Sequence, residues 1–436
     1  MSSTNHEGLR REIGVLGLAA NTLNRTIGAG IFVLPAFVAS FLGETSILAY
    51  LFCGFLMMLI MLCFSEIGSK ITSTGGAYAY IHAAFGPYAG FLANTMFWFV
   101  GILADAAIAN AMADMLSIYL PFLSEILFRA IFFLLVFGFF TFVNILGVKH
   151  GDNMVKINTL IKLVPLTILI IAGFMGTSID NLKWHSLPTI SKLGEASILL
   201  FFAFAGGEAS LNVSGELKNP QKVVPLGILS GMGAVVLFYV LIQTVSQGVL
   251  GADLVNFKEA PLAAVANKVI GSFGSTLMIA GAVFSMFAAL SGSVLSYPRV
   301  IFAGANKGWM PKIMAKVHPK FATPYVAIIT YAILDLVFSL SGGFKQLAII
   351  ASASLLVVYF GVVSATIKLR LQETDKSIGF RLPFGVGIPV LAAISILWFL
   401  SNLAMKEIIS LVVFLAVLSV LYILIEIYNK RNNQTV

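Results

Sequence analysis

Twelve apolar runs, each long enough to cross about 30 Å of hydrocarbon, divide this chain of 436 residues almost end to end. They fall near residues 13–41, 46–69, 88–117, 129–148, 154–176, 193–214, 224–248, 272–303, 324–341, 346–369, 386–404 and 407–428. The segments between them are mostly short and leave no room for a soluble domain. With 59% hydrophobic and 11% charged residues, a soluble fold is excluded. Lipid offers no partners to backbone N–H and C=O groups, so spans of this kind satisfy them internally as helices. The expected fold class is all-α integral membrane with twelve transmembrane helices. The first twelve residues are polar and no small-residue cleavage site follows the first run, so no removable signal peptide is expected.

Two runs are interrupted. Residues 24–32 read Asn-Arg-Thr-Ile-Gly-Ala-Gly-Ile-Phe, and a second break occurs at Ala205-Gly206-Gly207, followed by Glu208. Backbone that leaves helical geometry at membrane depth survives only where it is buried in protein or lines a polar cavity. Two interrupted spans in corresponding positions point to a secondary transporter's binding site.

The formal charge of +8 raises the question of nucleic acid, but its placement answers otherwise. With the N-terminus inside, eighteen Lys and Arg fall in cytoplasmic segments, seven in outer loops, and two, Arg25 and Lys162, within spans. That bias fits the positive-inside rule with both termini cytoplasmic, and hence a multi-pass protein of the cell's inner membrane. Cys53 and Cys63 lie ten residues apart in one run, roughly 15 Å along a helix, and cannot bond to each other. His6, His82, His150, His185 and His318 sit in loops or at span ends without ligand spacing, so no metal and no cofactor is expected.

Spans 1–5 and 6–10 overlay, each set opening with a glycine-broken helix, and Gly28 and Gly206 are 178 residues apart. Because five is odd, the second set starts on the opposite side of the membrane, as inverted repeats require. The expected units are a cytoplasmic segment 1–12, a first repeat 13–176, a second repeat 193–369, helices 11 and 12 over 386–428, and a cytoplasmic tail 429–436. Further motifs fall between spans. Thr74-Gly75-Gly76-Ala77-Tyr78-Ala79-Tyr80 predicts a turn and a short interfacial helix, and Glu216-Leu217-Lys218-Asn219-Pro220 follows span 6. Gly308-Trp309-Met310-Pro311 follows span 8, and Thr323-Pro324 opens span 9.

In their order and spacing these motifs resemble the amino acid–polyamine–organocation superfamily of transporters, and the likeness covers essentially the whole chain. The resemblance implies a five-plus-five inverted-repeat (LeuT-like) fold with helices 1 and 6 broken at mid-membrane. In it, helices 1, 2, 6 and 7 form a bundle that rocks against a scaffold of helices 3, 4, 8 and 9.

The candidate substrate site is built on both breaks. At Ile27, Gly28, Ala29 and Gly30 the chain unwinds cheaply, and the freed N–H groups at the start of the following half-helix form an anion site suited to an α-carboxylate. Around Ala203, Phe204, Ala205 and Gly206 freed carbonyls can accept from an α-ammonium. Close packing through small residues is the competing reading. Phe202 matches the aromatic position that in the resembled family closes over substrate, with phenylalanine where many members carry tryptophan.

Lys162 costs at least about 2.5–3.5 kcal/mol within a span unless it is paired or neutralised. The resemblance makes it a proton switch that also holds helix 1 through its carbonyls, while the alternative is a lysine snorkelling to the cytoplasmic interface. Glu208 stands at the start of a half-helix, either as a structural cap or as a second proton-exchanging group. Asp105, among alanines and leucine in span 3, either pairs with Arg25, receives a cationic side chain, or carries a proton. Ser291 and Ser293 either face Lys162 or bond their own helix, and Asp114 and Asp335 have no assigned role.

The expected function is proton-coupled uptake of neutral amino acids by alternating access, with amino acid, proton and lipid bilayer as partners. The runner-up is a cationic amino acid or polyamine exchanger, which needs Asp105 or Glu208 ionised and free. An enzyme would need a cluster of His, Cys and carboxylates or a nucleophile beside a base, and none is present.

Overall fold

The computed structural model describes residues 13–71, 76–147, 152–372 and 379–433. Fifteen α-helices make up nearly all of it: α1 Val15–Thr26, α2 Gly30–Leu42, α3 Ile47–Lys70, α4 Ala77–Phe85, α5 Pro87–Ser117, α6 Ile126–Ile145, α7 Asp152–Met175, α8 Ile190–Phe204, α9 Pro220–Leu250, α10 Pro261–Ile270, α11 Ser272–Asn306, α12 Tyr325–Ser341, α13 Phe344–Gln372, α14 Gly387–Ser401 and α15 Met405–Asn433. Short 3₁₀ segments join several of them, the longest at Gly207–Glu216. Most of the backbone is thus paired within its own helix, the arrangement that hydrocarbon demands.

Among the described residues, nine helical segments are long and apolar enough to cross a membrane, and the bent pair formed by α1 and α2 makes a tenth. The sequence expectation of twelve counted two further runs, which here form α12 and α14. Both are apolar but hold only 17 and 15 residues. Sequence alone also overlooked α10, whose ten residues sit between the seventh and eighth runs and pack on α2, α7 and α11. The short helix foreseen after the Gly-Gly turn is α4, with Gly76 at φ +55° before it. Thr74 and Gly75 of that motif, Lys149 and His150, and residues 1–12 lie outside the described residues.

Packing sorts the long helices into two groups. α1 and α3 run along α9, and α8 packs on α2 and α3. In the other group α5 is surrounded by α11, α12 and α13, with α6 against α12. α7 bridges them through α9 and α11. Large aromatic side chains fill the centre: Tyr50, Tyr80, Tyr239, Tyr331, Tyr359, Phe64, Phe201 and Phe399 are completely buried. Outward faces are apolar instead, as on α15, where Ile409, Val412, Val413, Val420 and Leu424 are exposed. A coat of that kind fits a lipid solvent rather than water.

Cys53 and Cys63 are buried and unpaired, and Cys53 Sγ rests 3.4 Å from the Ser197 carbonyl. At the end of α3 that carries Lys70, a clasp joins three segments. Glu66, 2% exposed, accepts from Arg370 Nη1 of α13 at 2.9 Å, from the Leu382 amide at 3.1 Å and from Lys70 at 3.2 Å. The Phe380 amide donates to Ser69 Oγ at 2.8 Å beside it.

Candidate functional site

Helical geometry stops at Thr26 and resumes at Gly30 with the axis turned by 52°. Ile27 closes α1 in an extended conformation, ψ 93°, so its carbonyl leaves the helix axis. Among the described residues the N–H groups of Gly28, Ala29, Gly30 and Ile31 make no backbone hydrogen bond, which leaves the start of α2 with its donors free of backbone partners. In the second break α8 ends at Phe204, Ala205 is extended, and Gly206 takes φ +102° before the chain continues as a 3₁₀ helix. That left-handed value is the reason for a glycine there. The carbonyls of Phe204 and Ala205 accept no backbone hydrogen bond.

The two breaks touch. A Cβ at Gly30 would lie 2.6 Å from both Cα and Cβ of Ala203, and one at Gly206 would lie 2.8 Å from the Arg25 carbonyl oxygen. Around Gly28, in contrast, such an atom would meet nothing within 4 Å. The Tyr239 hydroxyl on α9 binds both breaks at once, 3.2 Å from the Thr26 carbonyl and 2.9 Å from that of Ala203. No sequence pattern pointed to Tyr239, which sits in an ordinary apolar run.

Lys162 is 2% exposed, and its Nζ donates to the carbonyls of Asn24 and Ile27, each at 2.9 Å. Its ammonium is therefore spent on the loosened end of α1 rather than extended toward an interface. Ser285 on α11 approaches the same place, with Oγ 3.4 Å from the Ile27 carbonyl and 3.5 Å from that of Gly28. Sequence reasoning had singled out Ser291 and Ser293 for this position. Ser285 precedes the small-residue stretch that drew attention to them, and Ser293 instead lies beside Asp105.

Glu208 is 4% exposed and accepts from the Gly206 amide through Oε2 at 3.0 Å, so it caps the break from within. Phe202 packs edge-on to Phe344 at 5.6 Å, and Phe344 meets Phe37 of α2 at 6.0 Å. These three rings form one cover over the Gly30 end of the site. Phe204 turns away into the bundle against Tyr239 at 5.1 Å.

Asp105 does not meet Arg25. Its Oδ2 accepts from the Tyr331 hydroxyl at 2.9 Å, and the side chain is wholly buried between α5 and α12. Arg25, half-buried at the end of α1, makes no ion pair within 4 Å among the described residues, though it lies within electrostatic reach of Glu208, Tyr297 and Lys162. Asp114 pairs with Arg129 at 2.7 Å. Among the described residues no group of three or more His, Cys, Asp or Glu is placed to hold a metal.

A helical membrane protein whose two broken spans meet at unpaired backbone groups belongs to the class of secondary transporters. The chain is a member of the amino acid permease family, whose model matches residues 13–427. It is 29% identical to the serine/threonine exchanger SteT of Bacillus subtilis, over 89% of this chain and 90% of that one. It is 25% identical to the branched-chain amino acid permease BcaP of the same organism, over 99% and 97%. The human b(0,+)-type amino acid transporter 1 is 27% identical over 88% of this chain and 80% of its own. The protein is thus an amino acid transporter and not an enzyme.

Proposed function

We propose that the protein takes up neutral amino acids across the cell's inner membrane by alternating access, with a proton as the coupling ion. The twelve spans would be two inverted five-helix repeats, 13–176 and 193–369, followed by the pair over 386–428, with both termini cytoplasmic. α1, α2, α3, α8 and α9 would rock against α5, α6, α11 and α12. The packing of α1, α3 and α9 together, of α8 on α2 and α3, and of α5 with α11 and α12 supports that division, with α7 and α13 packed against both groups.

The observation that carries the reading is the meeting of the breaks at Gly30 and Ala203. A zwitterion there would place its carboxylate on the amides of residues 28–31, at the positive end of the α2 dipole. Its ammonium would face the open carbonyls of Phe204 and Ala205. The Ala203 carbonyl, assigned to that role by sequence reasoning, already accepts from Tyr239. Phe202 would close over the side chain.

Lys162 would carry the coupling. As an ammonium it donates to two carbonyls of the loosened α1 end, and as an amine it would hold them less tightly. Loss of its proton would free α1 to move, which ties the proton to the half-helix that forms the carboxylate site. Glu208 would hold the second break by the same means, through the Gly206 amide.

A cationic substrate is disfavoured, because Asp105 is sequestered with Tyr331 and the free charge near the breaks is Arg25. Exchange in place of net uptake is the second reading, and it rests on the exchanger among the relatives. The test is uptake of labelled amino acids into proteoliposomes, with and without an inward pH gradient. Gradient-driven accumulation of serine, threonine or branched-chain amino acids is expected, and Lys162→Ala should abolish the response to the gradient. Uptake that ignores the gradient in the native protein would overturn proton coupling and leave exchange.

A further inference from the structure

Between α5 and α12 lies a second set of buried polar groups that the site above does not use. Asp105 and Asp335 are both completely buried. Among the described residues Asp105 Oδ1 has no hydrogen-bond partner, and neither does either carboxyl oxygen of Asp335. Ser339, one turn beyond Asp335 and 3% exposed, has an unpartnered hydroxyl as well. Its carbonyl accepts from Asn110 Nδ2 of α5 at 2.9 Å, which fixes this face of α12 against α5. Asn110 in turn accepts from Arg129 through Oδ1 at 2.9 Å and through its carbonyl at 3.1 Å, and Arg129 is paired with Asp114, which is 36% exposed. Hydrogen bonds therefore run from the open end of α5 inward as far as the Ser339 carbonyl, one turn from Asp335.

The surroundings decide the state of those acids. Facing them are Tyr331 and Ser339 from α12, Asn110 from α5, and Ser293 and Tyr297 from α11. Arg129 of α6 reaches Asn110 and Asp114 but forms no ion pair with either acid. No Lys, Arg or His lies within 4 Å of Asp105 or Asp335 among the described residues. A lone carboxylate in such a place is costly, and two within electrostatic reach of each other add mutual repulsion. A bound metal would need more ligands than the two carboxyls supply. A proton needs only one.

We propose that Asp105 and Asp335 form a proton-carrying pair in the scaffold, loaded from the Asp114–Arg129 end past Asn110 and Ser339, and that its loading adds one step to the pH profile of transport beside the coupling carried by Lys162. The only bond made or broken is one O–H: an arriving proton joins a carboxylate oxygen, and a departing one leaves a carboxylate that the Tyr331 and Ser339 hydroxyls can stabilise. Tyr331 stacks on Tyr297 at 5.8 Å with the rings 17° apart, and Tyr297 lies within electrostatic reach of Arg25 and Glu208. A charge change at the pair would act on the breaks across these rings by Coulomb's law in apolar surroundings. The pair lies apart from Lys162, whose hydrogen bonds are to α1.

Infrared difference spectroscopy of the full chain in lipid, titrated in H₂O and D₂O, reads the pair directly. The expected result is a protonated-acid C=O band at neutral pH that shifts in D₂O. It should be lost in part in Asp105→Asn and Asp335→Asn, shifted in Asp335→Glu, and unchanged in Lys162→Ala. In parallel, exchange of labelled amino acid without a pH gradient should lose one step of its pH profile in Asp335→Asn. Native protein without the band, or a band indifferent to all three carboxyl variants, would overturn the proposal. So would a band that responds while the transport profile keeps every step. Should the Asn variants not fold, the native band and Asp335→Glu decide alone. The infrared result is independent of which amino acid is carried, so it stands or falls separately from the transport reading.

Discussion

Adding one methyl group at Gly28 and one at Gly30 should produce opposite failures. At Gly30 the new Cβ would sit 2.6 Å from two atoms of Ala203, one of them the backbone Cα. Ordinary carbon contacts begin near 3.5 Å, so the two broken spans would have to separate by about 1 Å. Neither can do so freely, because Tyr239 holds the Thr26 and Ala203 carbonyls together and Lys162 holds Asn24 and Ile27. Overpacking of that kind costs about 1–3 kcal/mol. At Gly28 the Cβ enters open space, and φ there is not left-handed, so the fold should lose nothing; Gly→Ala changes at compatible sites gain about 0.4–1 kcal/mol. If that space belongs to the substrate, however, the methyl group competes with it. Thermal denaturation in detergent and uptake into proteoliposomes separate the two effects. Gly30→Ala should unfold earlier, whereas Gly28→Ala should keep native stability and lose affinity by tenfold or more, a change of about 1.4 kcal/mol. Native uptake by Gly28→Ala would refute the assignment of that space to the substrate. Native stability of Gly30→Ala would refute the contact between the breaks.

Two further outcomes test the surroundings. Arg370→Met leaves the buried Glu66 carboxylate without its guanidinium and should lower stability by about 3 kcal/mol or more, read as earlier detergent denaturation with substrate affinity unchanged. Arg25→Gln removes a cation that makes no ion pair among the described residues beside the breaks, so lysine should compete with labelled neutral substrate about tenfold more strongly, the equivalent of about 1.4 kcal/mol. An unchanged lysine inhibition constant would show that Arg25 does not face the substrate.

Much of this architecture was legible before any coordinates. Long apolar runs and two glycine interruptions carry their own physical reason, because unpaired backbone in lipid is too costly to occur by accident. Lys162 and Glu208 stood out for the same reason, as charges in apolar surroundings. What sequence could not supply was the direction in which side chains point. Asp105 and Arg25 both looked unpaired, and a pair between them was the simplest expectation, yet α5 turns Asp105 toward α12, where Tyr331 and Asp335 wait on consecutive turns. Ser285 and Tyr239 hold the breaks through single hydroxyls, a job that leaves no periodicity or motif to read. The helix count was least secure at α12 and α14, where the apolar runs are longer than the helices they form.

The charged groups inside the apolar layer fall into two sets, and the division has a consequence for coupling. Arg25, Lys162 and Glu208 gather at the breaks, while Asp105 and Asp335 are enclosed within the opposing helices, with the stacked rings of Tyr297 and Tyr331 beside them. If the groups of helices move against each other, distances within each set stay nearly constant and distances between them change. Coulomb energy between the sets then differs from one conformation to the other, and a proton bound to either set biases the balance. One titratable group per moving part is enough for this, and neither has to touch the substrate. Such coupling is reciprocal: whatever the proton does to the equilibrium between conformations, substrate binding must do to the proton affinity of the same groups.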